Sequence, residues 1–266
     1  MAAPRVLVIA CGALARELLA ITQMNGLANV TVECLPASLH NRPSEIPELV
    51  RSRIRRARGL SGSGSGEVRV LGAETGIESS QVGEAHTDTA HTDTALADTA
   101  LADTALVDTE VRVLGAESGG ESSQFDEILI GYADCGTGGL LQQVCIDEGV
   151  DMLAGAHCYQ FFATHEGFDR LQDHELGSFY LTDFLARNWE RLIWDGLGIA
   201  KHPELRDMYF GNYTRLVYLE QTDDPKARAA AQACSDRLGL ELHVEHTGYG
   251  ELEETVVAFT RKAQAS

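Results

Sequence analysis

Hydrophobic positions along the chain fall into short apolar runs, each followed by a stretch with helical spacing, and the alternation recurs from end to end. Val6 to Ala10 is an aliphatic run too short to bury itself as a helix, and Leu14, Leu18, Leu19 and Ile21 then continue at helical spacing to about Met24. Val30 to Leu35 reads as a second strand, stopped by Pro36, and a loop holding His40 and Asn41 enters a helix with Ser44 as its expected N-cap. Ile128 to Ile130 form a third apolar run, broken by the glycine-rich turn Gly131 to Gly139 before Leu140, Leu141 and Val144 resume helical spacing. Val150 to Ala154, Leu216 to Leu219 and Leu240 to Val244 are further strands. Leu181 to Trp189, Pro203 to Phe210, Pro225 to Leu238 and Leu252 to Lys262 are helices. This order predicts an α/β fold: repeated β-α units giving a mainly parallel sheet, helices on both faces and right-handed crossovers.

The stretch from about 61 to 124 breaks the pattern. It opens on the alternating Ser-Gly run of Ser61 to Gly66, and the segment Glu67 to Gln81 returns nearly letter for letter as Glu110 to Gln124. Between the copies, a five-residue unit begins at His86, His91, Leu96, Leu101 and Leu106. A pentapeptide β-helix needs a large apolar residue in every unit and several stacked coils. Two units lack one and five units make barely one coil, so this low-complexity insertion is expected to be disordered. The fold is then expected in two parts, 1–60 and 125–266, around it. Removing 61–124 is expected to leave folding intact.

Charge narrows the partners. The formal net charge is -19, of which 61–124 carry -10 (12 Asp and Glu against 2 Arg), so the body is only moderately acidic. That balance argues against nucleic acid or an anionic membrane as partner. No run reaches the ~18 apolar residues of a membrane span, and no basic-then-apolar leader opens the chain, so a cytoplasmic location is expected. Six cysteines without an export signal read as thiols, metal ligands or nucleophiles rather than as a disulfide framework.

Three of these cysteines, Cys11, Cys135 and Cys158, follow strands, where the crevice of an open α/β sheet binds ligands. Gly12 and Gly136 follow two of them, as expected where backbone must approach a bulky group closely. The loop with Gly136 and Gly138 is expected to offer N–H groups to a small anionic substrate, although it is neither a P-loop nor a dinucleotide fingerprint. Asp134 is a candidate to orient substrate, with Tyr180 as proton donor and Asp183 as base. Glu17 is expected to point away and to form a salt bridge.

Together, Ile9 to Gly12 with Glu17, Leu39 to Pro43, Gly131 to Gly139 with Cys135, His157-Cys158, and Gly177 to Thr182 resemble the prokaryotic domain-of-unknown-function family 1638. The resemblance covers nearly all of the chain outside the insertion. It implies a corrinoid-dependent methyltransferase as genomic neighbour and possible partner, and supplies no mechanism. In that family's third motif a residue separates the His from the Cys; here they adjoin.

Two metal centres suit these residues. A site-differentiated iron–sulfur (4Fe-4S) cluster takes three thiolates from separate loops, here Cys11, Cys135 and Cys158, and leaves one iron open as a Lewis acid for lyase, hydrolase or sulfur-handling chemistry. Zinc is the alternative, held by two or three of the thiolates with His157 or His40, in an open site suited to methyl transfer or in an accessory protein of a corrinoid methyltransferase. Against both stands the plain reading that the three are small residues buried at tight junctions.

Overall fold

The computed structural model describes residues 3–60, 111–113, 125–174 and 177–265. Two parallel sheets hold the described strands. The first has the order β3-β2-β1-β4-β5 and contains β1 (Val6–Cys11), β2 (Val30–Leu35), β3 (Val111–Val113), β4 (Glu127–Gly131) and β5 (Asp151–Met152). The second has the order β6-β7-β8, with β6 (Ser178–Thr182), β7 (Arg215–Glu220) and β8 (Glu241–His246). The α/β architecture is as expected. It is divided between two sheets, because the chain after β5 turns into helices and starts a new sheet instead of adding strands to the first.

Every residue of β1 is buried, as an unbroken aliphatic run requires at the centre of a parallel sheet covered on both faces. From β1 the chain steps outward to β2 and β3, then returns to the other flank of β1 as β4. The direction of winding therefore reverses between β1 and β4, and their carboxyl ends border the crevice where such sheets bind ligands. At that seam Ala10 pairs with Gly131. A side chain at Gly131 would put its Cβ 2.7 Å from that of Ala10, so only glycine lets the two strands sit in this register.

Helix α1 (Ala15–Met24) connects β1 to β2, and α2 (Ile46–Ala57) follows the His40 loop. The α2 start lies at Ile46 after a 3-10 turn at Pro43–Glu45, so Ser44 is not its N-cap. Within the stretch expected as an insertion, Val111–Val113 runs parallel to β2, with Val32 opposite Val111, and forms the edge of the first sheet. Residues 61–110 and 114–124, and with them the expectation of disorder, lie outside the described residues. Beyond β4 come α3 (Leu140–Glu148), α4 (Cys158–Ala163) and α5 (His165–His174); the last two were not foreseen from the spacing.

In the second sheet, α6 (Asp183–Arg187), a π-helical turn (Glu190–Trp194), α7 (Leu205–Phe210) and α8 (Pro225–Leu238) make the crossovers. They bury Ala186, Trp189, Phe210 and Ala231 with Leu181, Leu216 and Tyr218 on one face. On the other face Phe168 and Leu171 of α5 pack with Tyr180, Val217 and Leu219. Thr182 caps α6 by accepting from the Leu185 N–H, as its place before an apolar-periodic segment leads one to expect. Helix α9 (Gly250–Ala265) returns to the first sheet and contributes Leu252, Val256, Val257 and Ala263 to its core, so the two lobes share a chain ending. Helix α6 packs against the turn Gly12–Leu14, which brings the carboxyl ends of β1 and β6 together. No helix among the described residues is long and apolar enough to cross a membrane.

Candidate metal centre

Four loops at the carboxyl edge of the first sheet build the site. Cys11 is the last residue of β1, fully buried, and its sulfur accepts from the Ala13 N–H at 3.4 Å, closing the 3-10 turn that follows. Gly12 lets the next loop come close. A Cβ there would lie 3.0 Å from the Leu35 carbonyl oxygen and 3.3 Å from the Ala37 nitrogen. That approach carries the 3-10 turn Ala37–Asn41 over the end of β1 and leaves His40 Nδ1 3.6 Å from the Cys11 sulfur. Asn41 anchors the same loop to the second lobe by donating to the Leu192 carbonyl at 3.3 Å, inside the π-helical turn.

Cys135 and Cys158 arrive from the β4 and β5 loops, which are tied together. Asp134 donates its N–H to the Gly155 carbonyl at 3.1 Å, and Cys135 to the Ala156 carbonyl at 2.9 Å. The Cys135 backbone takes a φ of 49°, a left-handed conformation that costs a non-glycine residue energy and that the paired loops must impose. The result is a sulfur–sulfur separation of 3.2 Å between Cys135 and Cys158. A ring nitrogen of His40 joins them, so the ligand atoms of His40, Cys135 and Cys158 all lie within 4.8 Å of one another.

Of the two candidate histidines, His157 and His40, the second lies with the thiols. His157 precedes Cys158 in the chain, yet its ring stacks on Tyr159 with centroids 4.9 Å apart, at the end of an aromatic row that continues to Tyr180 and Phe168. Its backbone N–H donates to the Gln160 side chain at 3.1 Å at the start of α4, and the side chain belongs to that packing rather than to the thiol group. Half-burial lowers the His157 pKa below the ordinary imidazole value. His40, the alternative ligand offered from the crevice-edge loop, is the histidine that meets the cysteines.

The expectation for the glycine loop is corrected. Asp134 accepts from the Gly139 N–H at 2.6 Å, the Gly138 N–H at 3.1 Å and the Thr137 hydroxyl at 2.8 Å, so the amides expected to hold an anion are already given to a carboxylate of the chain. Slight burial opposes ionisation of Asp134, but these donors outweigh it and bring its carboxyl below the ordinary range. Gly136 and Gly138 take φ of 83° and 63°; a Cβ at Gly136 would touch Pro43, and one at Gly138 would meet nothing.

Tyr180 stacks on Tyr159 at 5.3 Å, and burial raises its phenol against the opposing pull of Ser178 and Arg215. Asp183 is almost fully buried. It accepts from the Tyr218 hydroxyl at 2.6 Å, the Thr222 hydroxyl at 2.5 Å and the backbone N–H groups of Gln221 and Thr222 at 3.2 and 3.1 Å. With Arg187 at 3.5 Å as well, its lone pairs are committed to joining the ends of β6 and β7. Glu17 makes no salt bridge among the described residues. Its side chain is buried, its Oε2 has no hydrogen-bond partner, and burial pushes its pKa up to about 7.

Acidities within the thiol group diverge. The contact with Cys158 lowers Cys135 to about 7, with burial opposing and His40 assisting, while the same contact and burial push Cys158 well above the ordinary thiol value. The pair thus shares a proton, with the charge on the partly exposed Cys135. Burial raises Cys11 to about 12. One residue escaped the sequence reading entirely. The buried Tyr132 phenol lies among Cys11, Cys158, Cys34 and Cys135, its hydroxyl bears on the Cys11 sulfur, and burial raises its pKa.

Two thiols and an imidazole in reach of one point are a donor set for a soft or borderline metal ion. A cation there reverses the penalty on ionising Cys158, because the second negative charge then faces a positive one. A family model described as "Protein of unknown function (DUF1638)" matches residues 106–256, a span that includes β3, Cys135 and Cys158. No curated protein and no solved structure matches the chain.

Proposed function

The chain belongs to this DUF1638 family, and from its site we propose that it is a metal-thiolate enzyme holding one zinc-type ion between His40, Cys135 and Cys158, with an open position for a small anionic substrate. The observation that carries this reading is the convergence of three ligand atoms from three loops within 4.8 Å. Three protein ligands and a vacant fourth position are the pattern of catalytic zinc. Tetrahedral zinc with ~2.3 Å bonds sets its sulfurs about 3.8 Å apart, so the Cys135–Cys158 pair at 3.2 Å needs to part by only about 0.6 Å.

A 4Fe-4S cluster fits the pair less well. Its cysteines ligate different irons, and the cluster itself has to stand between sulfurs that here are in contact. Cys11, beside His40 but outside the convergent trio, then borders the substrate position. A thiol is the substrate class best suited to a soft N/S site. Bound as thiolate, it becomes a methyl acceptor, which is the step a corrinoid methyltransferase partner would feed. Asp134, Tyr180 and Asp183 serve on this reading as supports of the loops and not as acid or base.

Cobalt(II) substitution tests the proposal. The expected spectrum has thiolate-to-cobalt charge-transfer bands of two sulfurs and tetrahedral d–d bands, and these shift when a small thiol such as homocysteine is added. A protein that takes up no cobalt refutes the metal site. One that takes it up with no response to any thiol refutes the open thiol position.

A further inference from the structure

We propose that Cys135 and Cys158 form a reversible dithiol–disulfide couple, and that its oxidation by a low-molecular-weight disulfide switches the metal site off. The two sulfurs stand 3.2 Å apart, and closing to the ~2.0 Å of a disulfide takes about 1.2 Å of travel. Their loops are already joined by the Asp134–Gly155 and Cys135–Ala156 backbone hydrogen bonds, so no segment has to be recruited.

Access is asymmetric in the way a two-step exchange needs. Cys135 is partly exposed and Cys158 is buried behind it. A disulfide RSSR from solution therefore meets Cys135 first. The Cys135 thiolate attacks one sulfur of RSSR, the S–S bond breaks with the other half leaving as RS⁻, and a mixed disulfide forms on Cys135. Cys158, giving up its proton, then attacks the Cys135 sulfur and expels the second RS⁻. Two protein thiols and RSSR become one protein disulfide and two RSH, so two electrons pass from the protein to the oxidant. Cys34, Cys145 and Cys234 are buried, and the Cys11 sulfur is engaged with the Ala13 N–H and His40, so the oxidant has one exposed entry among the six cysteines. The left-handed backbone at Cys135 adds a reason for reversibility, since a bridge closed at a strained, accessible position is readily reduced.

The couple stands on the sulfur geometry alone, whereas its role as a switch rests on the metal reading above. Sulfurs joined to each other are no longer thiolates, and two of the three ligands are lost at once. A bound ion in turn shields both sulfurs from the oxidant.

The test uses full-length, metal-free, reduced protein equilibrated with graded ratios of reduced to oxidised glutathione, then acid-quenched, alkylated and weighed intact with peptide mapping. Wild type is expected to lose two hydrogens, to yield one Cys135–Cys158 cross-linked peptide, and to recover fully with dithiothreitol. Cys158→Ser is expected to stop at one glutathione on Cys135. Zinc added to the reduced form is expected to bind one to one and to block the bridge, and the oxidised form is expected to bind none. A wild type that stays glutathionylated at Cys135, or that bridges other cysteines, overturns the couple; an oxidised form that still binds zinc overturns the switch. A bridge in a protein that binds no zinc when reduced defeats the metal reading and leaves the couple standing. Zinc binding without any bridge does the reverse.

Discussion

Replacing Glu17 by Gln should stabilise the protein at neutral pH and leave it unchanged in mild acid. Glu17 sits in the first turn of α1 with its side chain buried and Oε2 without a partner, and burial raises its pKa from an ordinary 4.5 to about 7. The charges that bear on it are Asp183, which opposes ionisation, and Arg187 and Arg16, which favour it less strongly than burial disfavours it. Below about pH 4.5 the folded and unfolded chains both carry the proton, and the group costs nothing. Between 4.5 and about 7 the unfolded chain releases it while the folded chain holds it, so stability falls as pH rises. Above the folded value the loss is complete. At ~1.4 kcal/mol per tenfold in proton affinity, the gap is worth about 3 kcal/mol. The Gln side chain has the same shape and no charge to bury. Urea unfolding of wild type and Glu17→Gln from pH 4.5 to 8 should give curves that meet at the acid end and diverge to about 3 kcal/mol in favour of Gln at the alkaline end. Parallel curves, or a Gln variant weaker at pH 8, would refute the reasoning.

Other perturbations probe the scaffold. Gly12→Ala drives a Cβ against the Leu35 carbonyl and the Ala37 nitrogen, which are backbone and cannot rotate aside; a loss of about 1–3 kcal/mol is expected in chemical unfolding, with zinc affinity weakened as the His40 loop is pushed out. Asp183→Ala strands the Tyr218 hydroxyl and the Gln221 and Thr222 amides, and should cost at least about 3 kcal/mol by the same measurement; retained stability would deny the carboxylate its role in joining β6 to β7. Deleting 67–109 leaves one copy of the duplicated segment, the copy that supplies β3, and should preserve cooperative unfolding. Deleting 61–124 removes β3 and bares the edge of β2, so it should leave cooperative folding intact at a stability lower by about 1–3 kcal/mol through lost ladder hydrogen bonds.

Periodicity carried much of the fold. Val30–Leu35 and Pro225–Leu238 fall where an apolar run and a proline-opened helical stretch place them. Division into two sheets was not legible, since a parallel strand reads as the same buried run whichever sheet it joins; β8, exposed along much of its length, departs from that pattern. The strand-turn-helix grammar located Cys11, Cys135 and Cys158 at the right edge of the first sheet. It left His157 and His40 as alternatives, because a single sequence does not show that the His157 ring is turned to stack on Tyr159. His40 reaches the thiols through a contact between the β1 and β2 loops that Gly12 permits, and a single sequence does not show which loops touch. The glycine loop looked like an anion cradle because nothing in its spacing reveals that Asp134 turns back to fill it.

Metal content measured side by side in three proteins tests the central claim most directly. Wild type, His40→Ala and His157→Ala, each purified without chelator and dialysed against buffered zinc, should carry one, none and one zinc per chain, with no iron–sulfur absorption in any of them. Zinc lost from His157→Ala but kept in His40→Ala, or a brown iron-containing wild type, would contradict the account.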